Sequence, residues 1–394
     1  MGKIWDLIKN EKVEWKSLSE ICEITTGKLN ANKSKENGEY PFFTCNEKPL
    51  RIDSWEFDLD AILISGNGSR VGHINEYNGK FNAYQRTYVL YNFKKCTKNF
   101  ILHYLHMNFR KFIFNQINND SIIPFITKNV FSDFKIPIPS IETQNKIVKI
   151  LDKFNIYVKE LEHELEHRNK QYQYYNELCF NDDFLKFLSN KYAAESIVEN
   201  KTLNQLGVFI RGNNLTKKEI KNSGQPVVRY GELHTKYKFE TDFTYSFTNN
   251  DLFKKLKKAI KNDLMIVLTS EDNDGVCKTC IWSGDYEIGI SSDMCIFRGN
   301  VNPYFLNHFF STKRFLKQKE KYLSGTNIIR ISTDNLGKID ISLPSIVLQN
   351  LVSEKLNKLY KISNSIYEGL PKEIKLRKQQ YEYYRNKLLD FPKN

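Results

Sequence analysis

Ile136-Pro137-Ile138-Pro139-Ser140-Ile141 returns, 205 residues further along the chain, as Ile341-Ser342-Leu343-Pro344-Ser345-Ile346. Each copy reads as a short β-branched strand, then a Pro-Ser pair whose serine suits a helix N-cap, then a long helix. Upstream, Ser121-Ile122-Ile123-Pro124-Phe125-Ile126-Thr127 matches Thr326-Asn327-Ile328-Ile329-Arg330-Ile331-Ser332 at the same offset. Downstream, Arg168-Asn169-Lys170-Gln171-Tyr172-Gln173-Tyr174-Tyr175 matches Arg377-Lys378-Gln379-Gln380-Tyr381-Glu382-Tyr383-Tyr384 at an offset of 209. Near the start, Trp15-Lys16-Ser17-Leu18-Ser19-Glu20-Ile21 and Gly27 line up with Asn200-Lys201-Thr202-Leu203-Asn204-Gln205-Leu206 and Gly212 at an offset of 185. Tyr40-Pro41-Phe42-Phe43 keeps that offset against Gln225-Pro226-Val227-Val228. Matches this numerous, all in one order, establish an internal duplication.

Each half opens on short apolar runs such as Ala61-Ile62-Leu63-Ile64-Ser65 and Leu264-Met265-Ile266-Val267-Leu268, bounded by Gly, Asn and Asp. These read as buried strands. Helices are predicted near Phe100–Asn115 and Pro303–Tyr322. The growth in offset from 185 to 205 places an insertion in the second half, around His234–Asn262. Its run Lys254-Lys255-Leu256-Lys257-Lys258 reads as a solvated helix face in preference to a phosphate contact. The expected fold is α+β, with two β-rich globular domains in tandem, each followed by a long helix. The boundaries fall at 1–139 for the first domain, 140–178 for its helix and 179–199 for a linker. The second domain covers 200–344 and its helix 345–390.

Along the first long helix Ile147, Leu151, Phe154, Val158, Leu161, Leu165, Arg168, Tyr172 and Tyr175 alternate spacings of four and three, a coiled-coil seam. The second gives Val352, Leu356, Leu359, Ser363, Ile366, Leu370, Ile374, Arg377, Tyr381, Tyr384 and Leu388, with a stutter at Leu370–Ile374. The stutter coincides with the step in offset from 205 to 209, one added helical turn. At about 40 residues, each helix would be roughly 60 Å long. Chain geometry predicts that the two pair as an antiparallel coiled coil. Leu151, Leu161, Leu165, Leu356, Ile366 and Tyr381 are expected in the core.

The 394 residues carry 40% hydrophobic and 13% aromatic side chains, enough for real cores. Lys and Arg outnumber Asp and Glu by 59 to 46, a net charge of +13 that favours a polyanionic partner. No apolar run approaches the roughly 20 residues that span a bilayer. Met1-Gly2-Lys3-Ile4-Trp5-Asp6 shows neither a signal-peptide core nor the hydroxyl residue of a myristoylation signal. Seven scattered cysteines do not form a disulfide framework, so a reduced, cytoplasmic protein is expected.

Motifs that would make the chain an enzyme each fall short. His163-Glu164-Leu165-Glu166-His167 fits the zinc-peptidase spacing H-E-x-x-H, but Leu165 on the seam turns both histidines outward. Cys277-Lys278-Thr279-Cys280 is half a zinc site without a second half. Asn302-Pro303-Tyr304-Phe305 resembles the N-P-P-[YF] motif of amino-methyltransferases with Tyr in third place, and reads better as a helix start. Gly66-Asn67-Gly68-Ser69-Arg70-Val71-Gly72 has neither dinucleotide-fingerprint spacing nor a βαβ setting. No catalytic residue and no metal ligand is assigned, and no cofactor is expected in this chain.

With the repeats, the Pro-Ser helix starts and the Tyr-rich helix ends taken together, the sequence resembles the specificity subunit of type I restriction–modification systems over nearly its whole length. The family's usual Glu-Gln inside the long helix is here Thr143-Gln144 and Leu348-Gln349. The resemblance implies that each globular region is a target-recognition domain for one half of a bipartite site on double-stranded DNA. It implies that the helix pair acts as a ruler for the unread spacer and docks two modification (adenine methyltransferase) subunits, with a restriction-translocase subunit as a further partner. S-adenosylmethionine, ATP and Mg chemistry would belong to those partners. Loop residues beside the shared framework are then the candidate DNA contacts. In the first domain these are Lys28, Asn67, Ser69, Arg70, Gln85, Arg86 and Lys128. In the second they are Arg211, Asn213, Asn214, Arg229, Tyr230, Asn273 and Ser291. The rival reading is a coiled-coil scaffold or adaptor without a DNA role. A zinc-dependent hydrolase through His163, Glu164 and His167 ranks behind it.

Overall fold

The computed structural model describes residues 8, 11–114, 124–192, 197–365 and 368–392. Met1–Asp6, Asn115, Ser121–Ile123 and Ile366, which figure in the sequence reading, lie outside the described residues. The chain folds as α+β and divides into two compact units. One comprises Met1–Glu162 with Glu373–Asn394, the other His163–Lys372.

The duplicated sequence motifs turn out to be partners of one another within each unit. Glu14–Ser17 pairs antiparallel with Lys135–Ile138, Trp15 opposite Pro137 and Lys16 opposite Ile136. In the second unit Glu199–Thr202 pairs with Asp340–Leu343, Lys201 opposite Ile341. This ribbon joins the start of each globular region to the strand that leads into its long helix. Leu18 and Leu203, just past the ribbon, are fully buried. Each follows a capping residue whose backbone N–H donates to the side chain three positions on, Ser17 to Glu20 (2.7 Å) and Thr202 to Gln205 (2.8 Å).

The first unit carries a six-stranded sheet in the order Glu23–Thr26, Thr87–Tyr91, Phe57–Ser65, Ile74–Ala83, Tyr40–Phe43, Leu50–Ile52. All neighbours run antiparallel except Tyr40–Phe43 beside Ile74–Ala83. The second unit keeps the first part of this plan but divides it. A five-stranded sheet runs Gly207–Arg211, Met294–Gly299, Leu264–Val267, Thr279–Trp282, Glu240–Thr241. A four-stranded sheet runs Ser246–Thr248, Gln225–Val228, Ile288–Ile290, Lys258–Ala259. The segment expected to be inserted supplies edge strands to both sheets. Its lysine run is not one helix face: the helix Asn250–Lys255 ends within it, Leu256 is buried, and the Lys258 ammonium donates to the Leu256 carbonyl at 2.7 Å.

Helix Lys98–Phe114 covers the first sheet. In the second unit the predicted Pro303–Tyr322 helix is two, Pro303–Phe309 and Lys313–Glu320. Thr312 caps the second piece through its Oγ1 (3.2 Å to Phe315 N), which restarts the helix there. Asn302 caps the first as expected, its Oδ1 accepting from Tyr304 N and Phe305 N at 2.8 and 3.0 Å.

The long helix Ile141–Cys179 begins after Ser140, whose Oγ accepts from Thr143 N at 3.3 Å. Ser345 stands at the equivalent point, yet its Oγ makes no hydrogen bond. The buried glutamines one turn in do the work at both starts. Gln144 donates to the Pro139 carbonyl (2.9 Å) and accepts from Thr97 N (2.8 Å); Gln349 donates to the Pro344 carbonyl (2.8 Å) and accepts from Asn302 N (2.9 Å). Each ties the helix start to the start of an earlier helix, Lys98–Phe114 or Pro303–Phe309.

A histidine repeats this logic about two turns later. His103 meets Asp152 (2.8 Å) and the Tyr381 hydroxyl (3.3 Å); His308 meets Asn357 and the Tyr172 hydroxyl, both at 2.9 Å. Tyr381 comes from the end of the chain, so the C-terminal helix supplies to the first unit what the Tyr172 turn supplies to the second. Leu388, Leu389 and Phe391 join the first core with Phe100, Ile147 and Leu151. The pairing is antiparallel: the Phe154 ring stacks on Tyr384 at 5.2 Å, while Tyr157 lies under Arg377 and donates to Glu373 at 3.1 Å.

Three seam expectations change. Leu151 and Leu356 are buried, but Leu161, Leu165 and Tyr381 are half-buried. Tyr175 is exposed and the next residue, Asn176, is buried instead, its amide donating to the His308 carbonyl at 3.2 Å. The second long helix is not continuous, running Ile346–Asn364 and then Leu370–Leu388, with Gly369 at φ +100° between them. The segment foreseen as a linker contains the helix Asp182–Tyr192.

Candidate nucleic-acid interface

Strand ends gather three loops at one edge of each sheet. In the first unit these are the strand-end loop 66–73, the turn 84–86, and the segment 27–30. Gly66 N donates to the Arg86 carbonyl (2.7 Å), Gln85 N to the Leu29 carbonyl (3.0 Å), and Tyr84 N to the Phe43 carbonyl (2.9 Å). Cys45 adds a fourth strand end, its Sγ contacting Asn67 Oδ1 at 2.9 Å. Gly27 is required here, because a Cβ would stand 1.7 Å from the Ala83 carbonyl oxygen.

The second unit builds the same edge with other side chains. Leu268 N donates to the Asp293 carbonyl (2.9 Å) and Ser291 N to the Val228 carbonyl (3.2 Å), and Asn213 bridges Ser291. Tyr230 N donates to Ser291 Oγ at 3.1 Å, and Arg211 Nε to the Ser292 carbonyl at 2.9 Å.

Most of the sequence-chosen residues meet at these edges. Lys28 and Arg70 are exposed, held by Glu56 at 2.5 Å and Glu47 at 2.6 Å. Ser69 is exposed beside Arg70, and Gln85 donates to Asn30 at 2.7 Å. Arg86 is exposed on the turn. Lys128 is exposed in a different hollow, with Ser19, Glu23, Tyr91 and Ser132. In the second unit Arg211, Asn213, Asn214 and Tyr230 are exposed together, and Arg229 is half-buried with its Nε unpartnered. Asn273 is exposed on the strand-end loop, which Lys319 anchors by donating to its carbonyl at 2.7 Å. Ser291 is buried and its hydroxyl is occupied by Tyr230 N, so it holds the turn while Ser292 and Asp293 are half-buried.

Sequence reading passed over a cationic hollow of about 580 Å³ beside Arg70, lined also by His73, His106 and Arg110. Burial pushes the His106 pKa down, with His103, Arg385 and His73 adding to the push. Such a hollow suits an anion.

The sequence model of the family described as "Type I restriction modification DNA specificity domain" matches residues 10–168 and again 195–376. The chain belongs to that family. Among its members, the EcoDI type I restriction enzyme specificity subunit of Escherichia coli is 27% identical over 383 residues, 90% of this chain and 83% of that one. A putative type I specificity subunit of Haemophilus influenzae is 28% identical over 410 residues, covering 98% and 97%. The crystal structure of a type I restriction-modification system S subunit from M. genitalium superposes with a TM-score of 0.62 at 16% identity, covering 98% of both chains, which shows a shared fold.

Family membership places the remaining motifs. His163 and His167 stack edge-on at 4.4 Å on the exposed helix surface, and Glu164 is engaged by Arg168 at 2.8 Å. Among the described residues no group of three or more His, Cys, Asp or Glu could hold a metal ion. Cys277 and Cys280 are buried; burial pushes the Cys277 thiol up to about 12 and that of Cys280 higher still, away from the thiolate that metal binding needs. No described helix is long and apolar enough to cross a membrane.

Proposed function

We propose that this chain is the DNA-reading subunit of a type I restriction–modification complex, each domain reading one half of a bipartite, asymmetric site. The carrying observation is the pair of matched loop edges: the central turns share three backbone hydrogen bonds while their side chains differ. Equal frames with unequal loops suit a reader of two unlike sequences, which a scaffold would not need. Phosphate contacts fix register and base-edge contacts supply sequence. Arg70, Arg110 and the nearby histidines offer the first kind.

Methyl transfer and DNA cleavage fall to partner subunits that bring S-adenosylmethionine, ATP and Mg. Two modification methyltransferase subunits dock on the paired long helices, 140–178 and 345–390, and a restriction-translocase subunit joins them. The domains 1–139 and 200–344 carry the two recognition edges. Co-expression with a modification subunit, followed by genome-wide methyladenine mapping, should return one two-part motif. Arg211→Ala should weaken binding of the assembled complex to that motif by roughly 10-fold and leave assembly intact. Methylation without a motif, or unchanged binding on Arg211→Ala at physiological salt, would count against this reading.

A further inference from the structure

The turn Tyr84-Gln85-Arg86 and the turn Ser291-Ser292-Asp293 share three backbone hydrogen bonds. Tyr84 N donates to the Phe43 carbonyl as Ser291 N does to Val228, at 2.9 and 3.2 Å. Thr87 N donates to Tyr84 as Met294 N does to Ser291, at 2.8 and 3.3 Å. The Arg86 and Asp293 carbonyls accept from the ends of equivalent strands, Gly66 N at 2.7 Å and Leu268 N at 2.9 Å. Glycines press on both turns: a Cβ on Gly212 would stand 2.6 Å from the Ile290 oxygen, the counterpart of Ala83 against Gly27, and 2.1 Å from the Ser291 oxygen. Arg86 and Asp293 therefore stand at one point of the duplicated fold, on backbone held from two sides.

Their side chains differ from three cations of these edges, although Arg229 is likewise unpartnered at Nε. Lys28, Arg70 and Arg211 are each engaged by a neighbour. Arg86 is exposed and Asp293 half-buried, and neither side chain has a hydrogen-bond or ion-pair partner among the described residues. A carboxylate on a surface that meets polyphosphate is repelled unless it finds a donor. In the major groove the base donors are cytosine N4 and adenine N6, and adenine sets an N7 acceptor beside its donor, against a carboxylate. A guanidinium fits guanine O6 and N7.

We infer that Arg86 and Asp293 are specificity-determining residues at equivalent positions of the two half-sites. Arg86 reads a guanine in one half, and Asp293 accepts from a cytosine N4 amine in the other. This rests on the DNA-reading function proposed above.

The test is selection from randomised duplex DNA by the chain assembled with its modification subunits, using wild type, Arg86→Ala, Arg86→Gln and Asp293→Asn. The wild type serves as control: absence of any two-part motif rejects the DNA-reading function itself. Given a motif, Arg86→Ala should lower discrimination at a single guanine on the order of 10-fold to 100-fold, and Arg86→Gln should move that position toward adenine. Asp293→Asn should move a cytosine of the other half toward adenine, all remaining positions holding. A uniform affinity loss on Arg86→Ala with every base preference intact makes it a phosphate contact and overturns its assignment. An unchanged motif on Asp293→Asn, with or without impaired assembly with the modification subunits, overturns that of Asp293.

Discussion

His103 and His308 occupy one position of the repeated frame, and a single partner distinguishes them. His308 is fully enclosed and faces the neutral Asn357, so burial pushes its pKa down to about 4. At His103 burial also pulls downward, but the Asp152 carboxylate pulls the other way. An unfolded histidine protonates near pH 6.5. Between that pH and about 4 the unfolded chain therefore binds the proton that folded His308 refuses. Its neutral-ring stability is complete above pH 6.5 and is lost as the pH falls, by up to roughly 3 kcal/mol. Hydrogen exchange across residues 303–320 should accelerate between pH 7 and 4.5, after correction for intrinsic rates, and His308→Gln should flatten that dependence. The same slope in both proteins would refute the account. These histidines were within reach of the sequence, since His103 and His308 keep the offset of 205 and Tyr172 and Tyr381 that of 209. Asp293 was not, because the insertion hides which residue corresponds to Arg86, and only the shared backbone bonds of the two turns reveal it.

At the scale of elements, strand and helix starts were readable where local chemistry decides them. Asn302 is the plainest case. The break in the second long helix was not, because one added turn in a continuous helix already accounts for the stutter in the seam. Pro371 was the available sign, a proline suited to the first turn of a new helix. Gly369 makes the two alternatives opposite in sign. At φ +100° a Cβ would stand 2.6 Å from the Lys361 oxygen and 2.8 Å from the Ile362 oxygen. Gly369→Ala should therefore destabilise the protein by about 1–3 kcal/mol, lowering its thermal midpoint by several degrees. In an unbroken helix the same change would stabilise by about 1 kcal/mol. A rise in midpoint on thermal unfolding would restore the continuous helix.

For the whole molecule the duplication matters through its inequalities. The C-terminal helix is registered in the first unit by Tyr381 at His103, Tyr384 at Phe154 and Arg377 at Tyr157. The helix Ile346–Asn364 is registered in the second by Gln349 at Pro344 and Asn357 at His308. Both registers survive removal of Gly369–Lys372, since none of those four residues takes part in them. What changes is the connection, shorter by four residues, or about 6 Å if helical. Along DNA that corresponds to roughly one or two base pairs at about 3.4 Å each. If the helices set the spacing of the two half-sites, the deletion should change the tolerated spacer by that amount and leave both half-site sequences alone. Methyladenine mapping of the deleted and intact complexes measures both quantities at once. An unchanged spacer would remove the ruler role from the helices, and altered half-sites would mean that the recognition edges depend on this connection.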